Sequence, residues 1–313
     1  MTTYKEIFGT NIEVLASDPS NPVEGQVWYN STSNVVKGSA VTIAGAWATG
    51  GSINSARDTL AGSGVQTAAL IFGGQVPNTG ATESYNGTSW TEVNDLNTAR
   101  NGLGGVGTST SSLAFGGEPS TGATESFNGT SWTEVNDLNT ARTNLSGAGV
   151  SNTSALAFGG AGPNTQTETW NGTSWTEVND LNTGRGYASG FGTSTAAIFT
   201  GGLPATAITE SWNGTNWTEV GDLNTARYHL AAAGISTAGL VFGGNGTVAI
   251  TELWNGTNWT EVGDMSISRY GSPGAGTQTA ALAAAGSRAD PAALVSEEWT
   301  GAGAVLTQTF TDS

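Results

Sequence analysis

Residues 82–100 read TESYNGTSWTEVNDLNTAR, and nearly the same string recurs at 124–142, 167–185 and 209–227, with a looser copy at 251–269. The arginine that ends each copy has a counterpart at Arg57, so these arginines follow one another at intervals of 42 or 43 residues. Self-similarity at such a period is typical of arrays built from one supersecondary unit. The repeat therefore predicts one closed array rather than two ordinary domains.

One period carries the signals of four short strands. In the period that begins at Arg100, residues 103–107 form a small-residue strand, and residues 112–115 form an apolar strand that ends in Gly-Gly. Residues 123–127 precede Asn128-Gly129, a dipeptide typical of two-residue hairpin turns, and residues 132–135 complete the unit. Four antiparallel strands with a Gly-Gly, an aromatic residue and a tryptophan per unit indicate a propeller blade.

The double glycine, the aromatic residue before the Asn-Gly turn and the spaced tryptophan resemble the kelch repeat over about residues 47–300. Gly-Gly begins at 73, 116, 159, 201 and 243 and degenerates to Ala285-Gly286. The resemblance implies an all-β, six-bladed kelch-like propeller of four-stranded antiparallel blades, since two aromatic series have six members each. The residues before the turn are Tyr85, Phe127, Trp170, Trp212, Trp254 and Trp299, and the blade tryptophans are Trp47, Trp90, Trp132, Trp175, Trp217 and Trp259.

The two series are out of phase, which bears on how the ring closes. Trp47 precedes the first full unit, and no tryptophan follows Trp299. We expect the Trp47 strand to complete the sixth blade beside the strands between 269 and 299, because this removes an exposed sheet edge. The alternative closure uses the strand at 304–310; otherwise the tail is available as an additional outer strand. The predicted divisions are an N-terminal arm with a hairpin (1–45), the propeller (46–303) and a C-terminal strand or tail (304–313).

The repeated charged residues allow two interpretations. The repeat arginines could form a ring that binds an acidic ligand, such as a sialylated or sulfated glycan. They could instead pair with the strand glutamates or with turn carbonyls and join one blade to the next. Since the positions recur in every unit, the structural role is favoured, as it is for the blade tryptophans. The arginines are Arg57, Arg100, Arg142, Arg185, Arg227 and Arg269, and the glutamates are Glu83, Glu125, Glu168, Glu210, Glu252 and Glu297.

Composition argues against several classes of function. The formal net charge is −16, with nine Lys and Arg against 25 Asp and Glu, so we expect no nucleic-acid partner. No apolar run approaches the roughly 20 residues that span a bilayer, and the N-terminus shows no signal peptide, so no membrane insertion is expected. The chain has no cysteine and one histidine, His229, which excludes the copper radical chemistry of some kelch-type propellers.

Other catalytic arrangements are equally hard to find. Ser-His-Asp chemistry would depend on His229, which has no partner motif around it. The repeated aspartates suit turn capping and lack a calcium loop, and no carboxylate pair stands apart from the repeat. We therefore expect no enzyme, no metal and no cofactor.

The loops between the second and third strands differ from unit to unit, whereas the rest is nearly copied. Function often lies in loops on a rigid scaffold, although neutral drift also produces variation. The candidate binding residues in these loops are Gln75, Asn78, Glu118, Asn164, Asn245 and Arg288.

Residues 22–38 resemble a hairpin module found in many tailed-phage virion proteins. The resemblance implies a non-enzymatic virion structural protein, a tail-associated adhesin or a capsid decoration, at the tail or capsid surface. Its partners would be other virion proteins, bound through residues 1–45, and a glycan or protein of the host surface. Trp28 and Tyr29 would contact the virion or pack within the chain. The alternatives are a free carbohydrate- or protein-binding propeller and a glycan-active hydrolase.

Overall fold

The computed structural model describes residues 12–19, 26–41, 45–75, 77–245, 248–286, 294–301 and 305–310. Within these ranges the regular elements are β-strands, which confirms the predicted all-β class. Outside the full repeats they are β1 (Glu13–Leu15), β2 (Val27–Asn30), β3 (Val35–Val41) and β4 (Ala46–Ser52). The remaining strands form the repeats, apart from a last strand at the C-terminus.

The repeats fold into successive four-stranded antiparallel sheets, a β-propeller architecture. Sheet 1 contains β5 (Ala61–Val65), β6 (Ala68–Phe72), β7 (Thr82–Tyr85) and β8 (Trp90–Val93). Sheet 2 contains β9 (Gly104–Thr108), β10 (Ser111–Phe115), β11 (Thr124–Phe127) and β12 (Trp132–Val135). Sheet 3 contains β13 (Ser146–Ser151), β14 (Ser154–Phe158), β15 (Thr167–Trp170) and β16 (Trp175–Val178). Sheet 4 contains β17 (Ser189–Thr193), β18 (Ala196–Thr200), β19 (Thr209–Trp212) and β20 (Trp217–Glu219).

Sheet 5 contains β21 (Ala231–Ile235), β22 (Ala238–Phe242), β23 (Thr251–Trp254) and β24 (Trp259–Glu261). Sheet 6 contains β25 (Gly274–Gly276), β26 (Ala280–Ala283) and β27 (Val295–Thr300), with β4 as its fourth strand beside β27. The strand that carries Trp47 therefore joins the strands from the far end of the repeats.

The sheets of residues 47–299 form a closed ring. The first strand of each sheet contacts the first strand of the next, and β25 of sheet 6 contacts β5 of sheet 1. Apolar side chains fill the space between neighbouring sheets. The ring centroids of Phe72 in sheet 1 and Trp132 in sheet 2, for example, are 4.8 Å apart. Phe242 of sheet 5 makes the same contact with Trp47, also at 4.8 Å.

Small residues on the first strands let the sheets converge. A Cβ on Gly105 would lie 2.6 Å from Cζ of Phe72 and 2.8 Å from Cβ of Ala61, both in the preceding sheet. Because packed interiors leave no room for such overlap, the glycine is required by its neighbours. The small-residue strand seen in the sequence is thus the strand nearest the axis.

A separate compact unit consists of residues 1–46 and 300–313. Its sheet has the order β1, β2, β3 and β28 (Val305–Phe310), with β1 parallel to β2 and the other pairs antiparallel. The C-terminal strand pairs with β3 and does not add an outer strand to the propeller, which corrects that expectation for the tail. A two-stranded hairpin is marginal alone, and the strands from both ends of the chain extend this one to four.

Candidate binding face of the propeller

The repeat arginines lie in the interior and pair with the strand glutamates. Arg57, for example, contacts Glu83 at 2.5 Å, and Arg185 contacts Glu210 at 2.6 Å. Neither partner in any pair has more than 2% of its side chain exposed. The arginines are therefore not available to an acidic ligand. The other pairs are Arg100–Glu125, Arg142–Glu168, Arg227–Glu252 and Arg269–Glu297.

Each glutamate also holds the chain segment that enters its sheet. Glu125 accepts hydrogen bonds from the backbone N–H and the side-chain amide of Asn97, at 2.7 and 2.8 Å. Burial lowers the pKa of Arg142 and Arg185, and their paired glutamates oppose this effect. Buried charges need such partners, so the pairs belong to the scaffold.

Two residues after each arginine, the backbone forms a ring around the propeller axis. We call these residues the mouth ring: Thr59, Gly102, Asn144, Tyr187, His229 and Gly271. Each N–H donates to the carbonyl of the preceding member, and Gly271 closes the cycle with Thr59. The six N···O distances, in ring order from Gly102 to Thr59, are 2.7, 2.6, 3.0, 2.6, 2.9 and 2.8 Å.

The mouth ring has a left-handed backbone at every position. Its φ angles are +52°, +59°, +54°, +56°, +56° and +61° in chain order. Glycine adopts this conformation without a steric cost, and two positions use it. The threonine, tyrosine and histidine are unfavourable there, at about 1–3 kcal/mol each. Strain of this kind is found at functional sites, so these side chains are candidates for a role that glycine cannot perform.

The side chains of the mouth ring divide it into two unlike halves. The rings of Tyr187 and His229 meet edge to face, with their centroids 4.7 Å apart. The ring centroids of Tyr228 and Tyr270 lie 5.5 and 6.1 Å from that of the imidazole. All four side chains are partly exposed. The other half carries the hydroxyl of Thr59 and the amide of Asn144. Burial lowers the pKa of His229 and the negative charge of Asp58 opposes this, so the imidazole is neutral at pH 7.

The mouth ring surrounds a depression of about 90 Å³ at one end of the axial channel. Leu60, Leu103, Leu145, Ala188, Leu230 and Ser272 line it below the ring. The combination of flat aromatic surfaces and convergent polar groups around a concavity is typical of small-molecule sites.

Most of the predicted loop residues frame this same face. The backbone N–H of Gln75 donates to the backbone carbonyl of Asp58. The side-chain amide of Asn101 donates to Oδ1 of Asn78 at 2.6 Å. Glu118 donates its backbone N–H to the carbonyl of Asn101 at 2.7 Å. The variable loops thus contact the residues that precede the mouth ring.

Asn245 makes the same kind of contact with a residue that precedes the mouth ring, whereas Asn164 takes part in local structure. Asn245 exchanges hydrogen bonds with the backbone of Tyr228, at 2.8 and 2.9 Å. Asn164 accepts from the backbone N–H of Gln166 at 3.0 Å, within its own turn. Arg288 lies outside the described residues.

The opposite end of the propeller carries the tight turns. Thr67 lies in the turn between β5 and β6, and Gly87 lies in the turn between β7 and β8. A Cβ added to Gly87 would be 3.4 Å from the Cβ of Thr67, so the two turns are neighbours. We call this end the turn face. In sheet 6 the place of the Asn-Gly turn is taken by two chain connections, because β27 ends at Thr300 and β4 begins at Ala46. The chain therefore enters and leaves the propeller on the side away from the mouth ring.

In the smaller unit, the two aromatic residues proposed for attachment differ in exposure. Trp28 is fully buried, and its indole N–H donates to Asp18 at 3.1 Å. Tyr29 is partly exposed, with its hydroxyl donating to Asn34. Of the two, Tyr29 is the one that another molecule can reach.

The mouth ring was not among the sites predicted from the sequence. A tyrosine or histidine in a left-handed conformation has no signature of its own. The available signal was positional: the two residues after each repeat arginine read DT, NG, TN, GY, YH and YG, which makes them as variable as the loops. Glycine is the second residue of the pair in two of the copies, and this residue type indicates the left-handed backbone that all six positions share.

In the described part of the chain, no three His, Cys, Asp or Glu side chains are grouped so that they could hold a metal ion. Nor do the described ranges contain a helix of the length and apolarity needed to cross a bilayer. No model of a known protein family matches the chain, and no curated protein matches it either.

Proposed function

We propose that this protein is a non-enzymatic binding protein of a tailed-phage virion, a tail-associated adhesin or a capsid decoration. Residues 1–45 would mount it on other virion proteins, and the propeller would present its mouth-ring face to a glycan or protein of the host surface. We also propose that the propeller is of the kelch type with six blades, on the basis of the six-membered aromatic series.

The observation that carries the proposal is the placement of the mouth ring opposite the chain connections. A binding surface on a mounted domain must face away from its mount. The strained side chains of Tyr187 and His229 lie at one end of the propeller, and the outer ends of β4 and β27, Ala46 and Thr300, lie at the other. The turns on the other end carry no charged residue, since they consist of Asn, Gly, Thr, Ser, Gln and β-branched apolar residues.

The likeness of residues 22–38 to virion hairpins supports the mounting role. Within this segment, Tyr29 offers a partly exposed aromatic side chain, and aromatic residues are enriched at protein interfaces. The partly exposed Tyr29 ring, rather than the buried Trp28, is thus the contact that we assign to the virion.

Purified particles test the proposal directly. We expect mass spectrometry to detect the protein in particles, and Tyr29→Ala to reduce its incorporation while Tyr187→Gly leaves incorporation unchanged. A protein that is absent from particles would contradict the virion role. Incorporation of a variant without residues 1–45 at the normal level would contradict mounting through that segment.

A second candidate is a free carbohydrate- or protein-binding propeller. The observation that favours it is that every residue of the mouth ring comes from the unit of residues 47–299. Ligand binding by a protein that is never found in particles would support this alternative.

A further inference from the structure

We propose that the mouth ring is a binding site for one neutral hexose unit of a glycan, with Tyr187 and His229 as the stacking surface and Asn144 and Thr59 as hydrogen-bonding partners. This inference rests on the proposed function and specifies the ligand class and the residues. It assigns the recognition to the axis of the propeller, whereas the sequence pointed to the loops.

The shape of the site suits a sugar ring. A pyranose has a flat face of C–H groups and an edge of hydroxyl groups. The half of the ring with Tyr187 and His229 offers flat apolar surfaces that are partly exposed. In the other half the amide of Asn144 donates to Thr143 and the hydroxyl of Thr59 donates to Asp58, so these groups offer acceptor oxygens to a sugar hydroxyl. Both are needed to bind a ligand that is apolar on its faces and polar at its rim.

The charges around the site select a neutral ligand. The repeat arginines, which are the cations closest in sequence, are buried and paired with glutamates. Asp58 is the acidic residue next to Thr59, and the imidazole of His229 is neutral at pH 7. An anionic sugar would find no free positive charge in this ring and would meet the field of a chain with a net charge of −16.

The backbone angles of the mouth ring independently support a ligand-binding role for Tyr187 and His229. Gly102 and Gly271, at φ angles of +59° and +61° against +52° to +56° for the others, show that the ring closes with glycine at a mouth position. Side chains at Tyr187 and His229 are therefore not required by the fold. Contact with a ligand explains why tyrosine and histidine occupy these positions in spite of the backbone strain.

Because glycine fits the backbone of the mouth ring, the side chains can be removed without disrupting the fold. Tyr187→Gly and His229→Gly remove the stacking surface and also relieve the left-handed strain, so both variants should melt at or above the wild-type temperature. Tyr187→Asn provides a third variant, since Asn144 shows that asparagine fits an equivalent position. Ile235→Thr is the matched control: Ile235 is exposed on the turn face, and Thr108 and Thr193 hold the equivalent position in other sheets.

The experiment is a titration of the full chain with the methyl glycosides of glucose, galactose, mannose and N-acetylglucosamine, followed by saturation-transfer NMR or calorimetry, with sialyllactose as the anionic probe. We expect at least one neutral glycoside to bind with a Kd on the order of 1 mM, as is usual for one sugar on a shallow site. The glycine variants and Tyr187→Asn should weaken binding by at least tenfold, and Ile235→Thr should leave it unchanged.

Three results would overturn the inference: no binding of any of the four neutral glycosides, equal binding by wild type and the mouth-ring variants, or binding of sialyllactose alone. These outcomes are distinct from failure of the proposed function. Particles that contain the protein and adsorb to cells equally well with Tyr187→Gly would preserve the virion role and refute the sugar site. Sugar binding by a protein absent from particles would do the reverse.

Discussion

The indole N–H of Trp132 donates a hydrogen bond to Oγ1 of Thr82, 3.2 Å away, across the boundary between sheets 2 and 1. The same bond links every neighbouring pair of sheets, including the closing pair, where Trp90 donates to Ser296. A blade tryptophan thus joins two sheets both by its ring and by its one polar atom. The other bonds are Trp175 to Thr124, Trp217 to Thr167, Trp259 to Thr209 and Trp47 to Thr251.

Replacing Trp132 separates these two contributions. We expect Trp132→Ala to lower the free energy of unfolding by about 3–5 kcal/mol, because it leaves a cavity against Phe72. Trp132→Phe keeps most of the packing and should cost less, with the lost hydrogen bond contributing about 0.5–1.5 kcal/mol. Chemical denaturation of both variants measures the difference. Equal stability of Trp132→Ala and wild type would contradict the packing assigned to this residue.

Breaking a buried ion pair should be as damaging as removing a tryptophan. Glu125→Gln leaves the guanidinium of Arg100 buried without its counter-charge, so we expect a loss of about 3–5 kcal/mol. The double variant Arg100→Met/Glu125→Gln should lose less than the sum of the two single variants, since no buried charge remains. A thermodynamic cycle of denaturant unfolding measures this coupling.

Glu134 provides the control for that cycle. It lies directly opposite Glu125 in the neighbouring strand but is exposed. Glu134→Gln should change stability by no more than about 0.5 kcal/mol. A loss equal to that of Glu125→Gln would show that the effect comes from total charge rather than from the buried pair.

The single histidine gives the mouth ring a direct spectroscopic signal. Because burial lowers the pKa of His229, we expect its imidazole to titrate below the ordinary value of 6.5 in a proton NMR experiment. The unfolded chain then takes up a proton first as the pH falls, so stability should decrease below pH 6.5 until the folded protein is protonated too. His229→Asn should remove this part of the pH dependence. Titration at or above 6.5 would contradict the partly buried placement.

The smaller unit should respond to acid in a different range. The hydrogen bond from Lys37, with those from Asn30 and Trp28, lowers the pKa of Asp18 to about 2 from an ordinary value of 3.8. The stabilisation is complete above pH 3.8 and disappears as the pH falls towards 2. We expect the Trp28 indole N–H resonance, assigned with Trp28→Phe, to shift over this interval, and Asp18→Asn to abolish the shift. A midpoint near 3.8 in wild type would argue against the network.

The repeat made much of the architecture predictable from sequence. Asn128-Gly129 marked a hairpin, and the spacing of Phe115 and Trp132 marked the strands on either side of it, so the four-stranded antiparallel sheets of the structure follow the prediction. For Arg100 the repeat favours pairing with a glutamate or a turn carbonyl but does not exclude ligand binding, because a periodic charge looks the same whether it faces a glutamate or a ligand. Only the three-dimensional packing of Glu125 beside it distinguishes them.

The mouth ring and the partner of the C-terminal strand could not be predicted, for physical reasons. Left-handed backbone at Tyr187 and His229 arises from a hydrogen-bonded cycle that spans the whole propeller, which no local pattern records. The strand at 305–310 has ordinary β-propensity, and its partner, β3, lies more than 260 residues earlier in the chain. No local sequence pattern marks a pairing between strands so far apart in the chain.

That last pairing makes the propeller an insertion. β3 precedes the propeller in the sequence and β28 follows it, and the two strands pair with each other from Val36 with Phe310 to Val41 with Val305. In topological terms the whole ring of sheets occupies the loop of a single β-hairpin. Insertions at such a position are tolerated when their ends lie close together, so we expect the small sheet to form equally well around another domain of that kind.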